Sequence, residues 1–257
     1  MRGKSRKKFR FLRMLLLLIM IVCLIPVGQA YYLSFSHEKK QEELRNLLET
    51  GKQKESEEQQ NVSGKIQSRF TELYSRNQDL AGWLAIAGTD IDYPVMQCED
   101  DEYYLNHNFQ KEKDKYGCLY VRSIADLNTP GTNFIIYGHN MRDGSMFGKL
   151  NEYESEDFYR KHARISFDTL YEGSTYEILS VFSTRIQEES EFKYYEFYQA
   201  ETEQEFLDFY ENIKKRSLYD TKVTAEFGDT FLTLSTCFGS EEDERFVVVA
   251  KKIVKIR

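Results

Sequence analysis

The rhythm of hydrophobic and polar positions changes three times along the chain. Residues 14–27 read MLLLLIMIVCLIPV, an apolar run with no charge. Extended through Leu33, the run reaches the roughly 20 residues that a helix needs to cross a bilayer. Tyr31 and Tyr32 fall where interfacial aromatic side chains are expected. The segment 34–64 then becomes charged, and within it EKKQEELRNLLETGKQKESEEQQ (38–60) has no aromatic residue. That composition predicts a polar helical stalk or linker. Over 65–80, Ile66, Phe70, Leu73 and Tyr74 recur at helical spacing, predicting an amphipathic helix that opens a folded domain spanning 65–257.

Beyond this helix the period shortens. Strands are predicted near 82–86, 93–96, 117–121, 133–137, 164–170, 175–185, 230–236 and 245–256, separated by turn signals. Eight short strands so spaced fit an antiparallel barrel or sandwich better than a βαβ fold. Helical patterns interrupt them. One or two short helices are predicted over 146–162, and a longer amphipathic one over 204–217, carrying Phe206, Leu207, Phe209, Tyr210 and Ile213. The composition agrees with this mainly β reading. Tyrosine and phenylalanine each occur 18 times against three prolines, and aromatic residues favour half-buried strands.

Charge sharpens the picture at the N-terminus. Lys plus Arg number 35 and Asp plus Glu 42. Seven of the basic residues and no acid fall within 1–13, leaving 28 against 42 beyond them, a net charge of −14. A body so acidic is a poor match for phosphate backbones, so no nucleic-acid partner is expected. The basic cluster before an apolar span instead predicts a cytoplasmic tail (1–13), a transmembrane signal anchor (14–33) and a single-pass protein with its folded domain outside the cell. A cleaved signal peptide is the alternative, because Gly28-Gln29-Ala30 resembles a small-residue cleavage site.

The candidate chemistry is concentrated at strand ends. The cysteines at 23, 98, 118 and 237 form no C-x-x-C pair. Cys98 and Cys118 could pair outside the cell, which leaves Cys237 as a candidate reactive thiol. It ends the alternating run FLTLSTC, where a rigid strand can present a thiol to a cleft. Eight residues later Arg245 begins the next strand. If 241–244 form the connection, Cys237 and Arg245 meet at one end of adjacent antiparallel strands. A guanidinium there can lower the thiol pKa or hold an oxyanion; the plainer alternative is an edge arginine pairing with nearby acids. His139 closes another apolar strand, NFIIYG (133–138), and Gly138 allows a sharp exit from it. A strand-end thiol and a strand-end imidazole in one barrel make the Cys–His arrangement used in acyl transfer. The four histidines are too scattered for a zinc site and no acid cluster resembles a calcium loop, so neither metal nor cofactor is expected.

These residues carry a family resemblance. TLSTC (233–237), Arg245 with FVVV (246–249), and YGHNM (137–141) with GSMF (144–147) resemble the signatures of sortases. LAGW (80–83) through IDYPV (91–95), and the long helix before the cysteine strand, resemble class B of that family. The resemblance implies an eight-stranded sortase-like β-barrel with an N-terminal helix and a helix inserted before the nucleophile strand. It further implies a membrane-anchored cysteine transpeptidase of a Gram-positive cell surface. Such an enzyme cleaves a C-terminal sorting signal resembling N-P-x-T-[NGS] between Thr and the next residue, then passes the acyl group to a peptidoglycan precursor amine. Carried over, Cys237 is the nucleophile, His139 the general acid/base, and Arg245 the oxyanion or substrate stabiliser, with Ser235 and Thr236 lining the peptide groove. One departure is the segment 238–244, which is shorter than in some class B members and places Phe238 after the cysteine. A pilus-polymerising sortase and a non-catalytic, membrane-tethered peptide- or wall-binding barrel are the alternative readings.

Overall fold

The structure is a computed structural model that describes residues 2–57, 66–129, 131–186, 192–237 and 243–253, with side chains from residue 11 onward and not for 56–57. The chain divides into two compact units, Met1–Glu43 and Leu44–Arg257. The described residues of the first unit lie within helix α1 (Arg2–Glu57). Side chains from Met14 to Leu33 lie exposed along it, and among the described residues this is the one helix long and apolar enough to cross a membrane.

In the second unit the polar stalk is helical through Glu57, while 58–64 lie outside the described residues. It is not wholly solvated. Leu44 and Leu48 are buried in a cluster with Phe70, Trp83, Met96 and Leu170, and Leu47 packs beside them. Their i, i+3, i+4 spacing makes a narrow apolar stripe that the surrounding charge conceals. Burying one such leucine contributes about 1.5–3 kcal/mol. The expected helix over 65–80 is shorter: a 3-10 turn (Ser68–Phe70) leads into α2 (Thr71–Arg76). Asn77 stops it, its side-chain oxygen accepting the Asp79 amide at 2.9 Å, and Leu80 already belongs to a strand.

All eight expected strands are present: β1 (Leu80–Ala85), β2 (Asp92–Met96), β3 (Leu119–Tyr120), β4 (Asn133–Tyr137), β5 (Arg164–Thr169), β6 (Gly173–Arg185), β7 (Phe231–Cys237) and β8 (Glu244–Lys252). They close into a barrel in the order β1-β2-β3-β4-β7-β8-β6-β5. The barrel is mixed, which corrects the antiparallel expectation. β2 runs parallel to β3, and β4 runs parallel to β7. Alternation of apolar and polar residues identifies strands but says nothing of direction. Leu84, Val95, Phe167, Val181, Leu234 and Val248 fill the interior.

The connection from β4 to β7 includes helix α3 (Glu156–Lys161), strands β5 and β6, and helix α4 (Glu203–Arg216). A capping box starts α4: Thr202 Oγ1 accepts the Glu205 amide at 3.3 Å, and Glu205 Oε2 accepts the Thr202 amide at 3.1 Å. Acids in its first turn and bases in its last suit the helix dipole. Its apolar face, Phe206, Phe209 and Ile213, packs against Phe231 of β7 and Val247 and Val249 of β8. Thus the inserted helix supports, from outside the barrel, the two strands that carry Cys237 and Arg245.

Candidate active site

Three strand ends build the site. β4 and β7 pair in register with Tyr137 opposite Ser235. The pairing continues past the strand, with the Gly138 amide donating to Ser235 O at 3.2 Å and Thr236 Oγ1 donating to Gly138 O at 2.7 Å. Asn140 Nδ2 then donates to Cys237 O at 2.8 Å. This zipper brings the His139 and Cys237 ends of the two strands together. On the other side of β7, Cys237 is the direct partner of Arg245 in the antiparallel pair with β8. In the sequence they stand eight positions apart; the register places them side by side. The segment 238–242, which includes Phe238, Glu241 and Glu242, lies outside the described residues.

Cys237, His139 and Arg245 all line one cleft of about 560 Å³. Cys237 is exposed, while His139 and Arg245 are half-buried. Tyr120, Tyr137 and Ser235 also line it, as do Asp101, Glu102 and Leu105 from the β2–β3 connection and Ile186, Tyr194 and Tyr195 from the β6–α4 segment. Gly138 serves differently from expectation. It is not among the residues with positive φ, but a Cβ there would run into the side chains of Leu119 and Phe147. Close packing, not a left-handed turn, requires glycine at this position.

Ser235 and Thr236 both line the cleft, yet each is almost fully buried. The Thr236 hydroxyl is engaged by Gly138 O, and Ser235 Oγ lies 2.7 Å from the Tyr194 hydroxyl. Burial raises the Tyr120 and Tyr194 phenols to about 12, and pushes Tyr137 higher still. Tyr120, Tyr137 and Tyr194 therefore offer neutral hydroxyls and apolar rings, not bases. Although burial works against its charge, Asp101 is held below the usual carboxylate range by the Ser123 amide and the Arg122 guanidinium. Arg122 Nε meets Asp101 Oδ2 at 2.8 Å.

The other two thiols of the folded domain differ from Cys237 in exposure. Cys98 and Cys118 are free; Cys118 is buried and Cys98 partly so. Burial raises both of their pKa values, that of Cys118 strongly. A thiol held in its protonated form is a poor nucleophile. His107 and His162 are packing residues. His107 stacks on Tyr103 with centroids 4.0 Å apart, and His162 Nδ1 lies 2.8 Å from Ala87 O.

Sequence reasoning missed Leu105, Asp101, Tyr137 and Tyr194 as parts of the site. Leu105 contributes through its carbonyl, which lies 2.6 Å from His139 Nε2. A main-chain oxygen carries no residue-type signal. Tyr194 lies in a 3-10 turn (Tyr194–Glu196) that no periodicity marks.

This three-strand rim is accompanied by a match to known proteins. The sortase domain model matches residues 84–253, and the chain belongs to the sortase family. Within the family its relatives are sortases of class B. Sortase B of Listeria monocytogenes is 36% identical over 206 residues, covering 76% of this chain and 78% of that protein. Sortase B of Staphylococcus aureus is 29% identical over 252 residues, covering 96% and 98%. The structure of an S. aureus sortase B–substrate complex aligns with a TM-score of 0.77 at 28% identity, covering 86% of this chain and 98% of that one. A Bacillus anthracis protein similar to sortase B aligns with a TM-score of 0.74 at 32% identity, covering 85% and 96%. This kinship supports a cell-wall sorting transpeptidase.

Proposed function

We propose that the protein is a membrane-anchored cysteine transpeptidase that cuts a sorting signal between Thr and the following residue and joins the Thr to a cell-wall amine. The observation that carries this reading is the direct cross-strand pairing of Cys237 with Arg245 in a cleft shared with His139. The Cys237 thiolate attacks the Thr carbonyl carbon, and the carbonyl oxygen gains negative charge. Arg245 offers its guanidinium to that oxygen. His139, as imidazolium, protonates the leaving amine, so the peptide bond breaks and a thioester remains on Cys237. The acceptor amine then attacks the thioester, His139 removes its proton, and the thiolate leaves. Thiolate and imidazolium are restored, and their ionisation belongs to the pair.

The tyrosine-rich part of the lining, Tyr120, Tyr137, Tyr194 and Tyr195, suits the uncharged side chains of an N-P-x-T-[NGS]-like signal. Ser235 and Thr236 shape the groove wall mainly by fixing Tyr194 and the β4–β7 rim, since their hydroxyls are engaged within the protein. A solved S. aureus sortase B is complexed with Gly3, which supports a glycine-type amine as acceptor. When the full-length protein in detergent is given such a peptide and Gly3, mass spectrometry should find the Thr–Gly3 ligation product. Hydrolysed peptide alone, at saturating Gly3, would make the protein a peptidase instead.

The anchor reading rests on the basic residues 1–13 ahead of the exposed apolar face of α1. It places the N-terminus in the cytoplasm and the barrel outside. Protease added to intact protoplasts should remove the barrel and spare an N-terminal tag. A released protein beginning near Tyr31 would replace the anchor with a cleaved signal peptide.

A further inference from the structure

We propose that the backbone carbonyl of Leu105 fixes the ring of His139 so that the acid/base proton moves on and off Nδ1, and that Tyr104 is the positioning residue that holds this carbonyl. The inference rests on His139 being the acid/base of the reaction above. Leu105 O lies 2.6 Å from His139 Nε2. A carbonyl has no hydrogen to give, so Nε2 is the donor in both charge states of the ring. The neutral ring then keeps its lone pair on Nδ1, and only that nitrogen can exchange a proton with the leaving and incoming amines. A ring that flipped would present an N–H where a lone pair is needed.

The carbonyl belongs to a 3-10 turn (Tyr103–Leu105) that is held from several directions. The Tyr104 ring is 1% exposed, and its hydroxyl donates to Asp79 Oδ2 at 2.7 Å and accepts from Asn77 Nδ2 at 2.9 Å. Lys111 Nζ meets the same Asp79 oxygen at 2.8 Å. Asn77 Nδ2 also donates to Phe109 O at 2.8 Å, tying the far side of the loop to the same point. The Tyr104 carbonyl accepts the Cys118 amide at 2.9 Å. Gly117, at φ 59°, makes room for the turn: a Cβ there would stand 2.8 Å from Leu105 O. Asn77, Asp79, Tyr104 and Lys111 are absent from the residues lining the cleft. Their influence on the reaction must therefore pass through the turn, and substrate binding should be largely indifferent to them.

The test uses full-length protein labelled with 15N-histidine, in detergent, with His139→Gln to assign the ring signals. Two-bond 1H–15N spectra should show neutral His139 with its proton on Nε2, and a Nδ1–H tautomer would overturn the inference. In Tyr104→Phe, which removes the hydroxyl and keeps the ring, kcat should fall about tenfold, the scale of one net hydrogen bond. KM should stay within about twofold, and the His139 signals should shift towards a mixture of tautomers. Asp79→Ala, at a less buried position, should act in the same direction and serves if Tyr104→Phe does not fold. Wild-type kcat together with wild-type ring signals in the folded variants would remove Tyr104 from this role. The underlying assignment fails separately: it falls if His139→Ala still transfers peptide, whatever the tautomer of the parent protein.

Discussion

Cys237→Ala is expected to abolish both cleavage of the sorting peptide and its transfer to Gly3, while Cys98→Ala and Cys118→Ala should retain both. This is the expected result with the largest effect, because without a nucleophile no thioester can form and no second step can begin. Cys237 ends β7 with its side chain exposed, so replacing it removes one sulfur atom and leaves the strand pairing with β8 intact. The unfolding temperature of the variant should match that of the parent. The two comparison thiols are buried or partly buried, and burial keeps them protonated. Intact-mass analysis of each variant after exposure to peptide is the direct measurement. A thioacyl adduct on the Cys237 variant would assign the nucleophile elsewhere.

Arg245→Lys is expected to lose roughly 10²–10³ in kcat, the range typical of one lost oxyanion donor. Lysine preserves the charge but replaces a planar, multiply donating fork with a mobile point charge. Arg245→Ala should be no better. The backbone register brings residue 245 beside Cys237 whatever its side chain, so the comparison isolates the guanidinium. Both variants should still be alkylated by a small thiol reagent, since alkylation generates no carbonyl oxyanion. Near-normal turnover by Arg245→Lys would reduce the residue to a source of positive charge.

These two residues were legible in the sequence because each terminates a strand whose alternation is unmistakable. FLTLSTC and RFVVVAKK could hardly be anything but neighbouring strands, and the short interval between them suggested a hairpin. Their pairing residue for residue follows from that reading. Strand direction elsewhere was hidden. The parallel β2–β3 and β4–β7 pairs are set by how long connections cross the barrel, which no local pattern encodes. The stripe of Leu44, Leu47 and Leu48 was masked by the charges around it. Gly138 was correctly singled out for the wrong physical reason, since crowding by Leu119 and Phe147 depends on elements distant in sequence. Leu105 was invisible because its contribution is an oxygen that every residue possesses.

The parallel pairing of β4 with β7 also has a kinetic consequence. The contacts that zip the rim, Thr236 to Gly138 and Asn140 to Cys237, join positions 98 and 97 residues apart. Closing so long a loop adds only a logarithmic entropy cost to stability, but non-local pairing of this kind slows folding. The local hairpin of β5 and β6 faces no such delay. The strand ends that carry His139 and Cys237 thus meet only when distant segments of the chain have come together. A partly folded chain can hold Cys237 beside Arg245 in the local β7–β8 pair and still lack His139, so completion of the proposed site is tied to barrel closure.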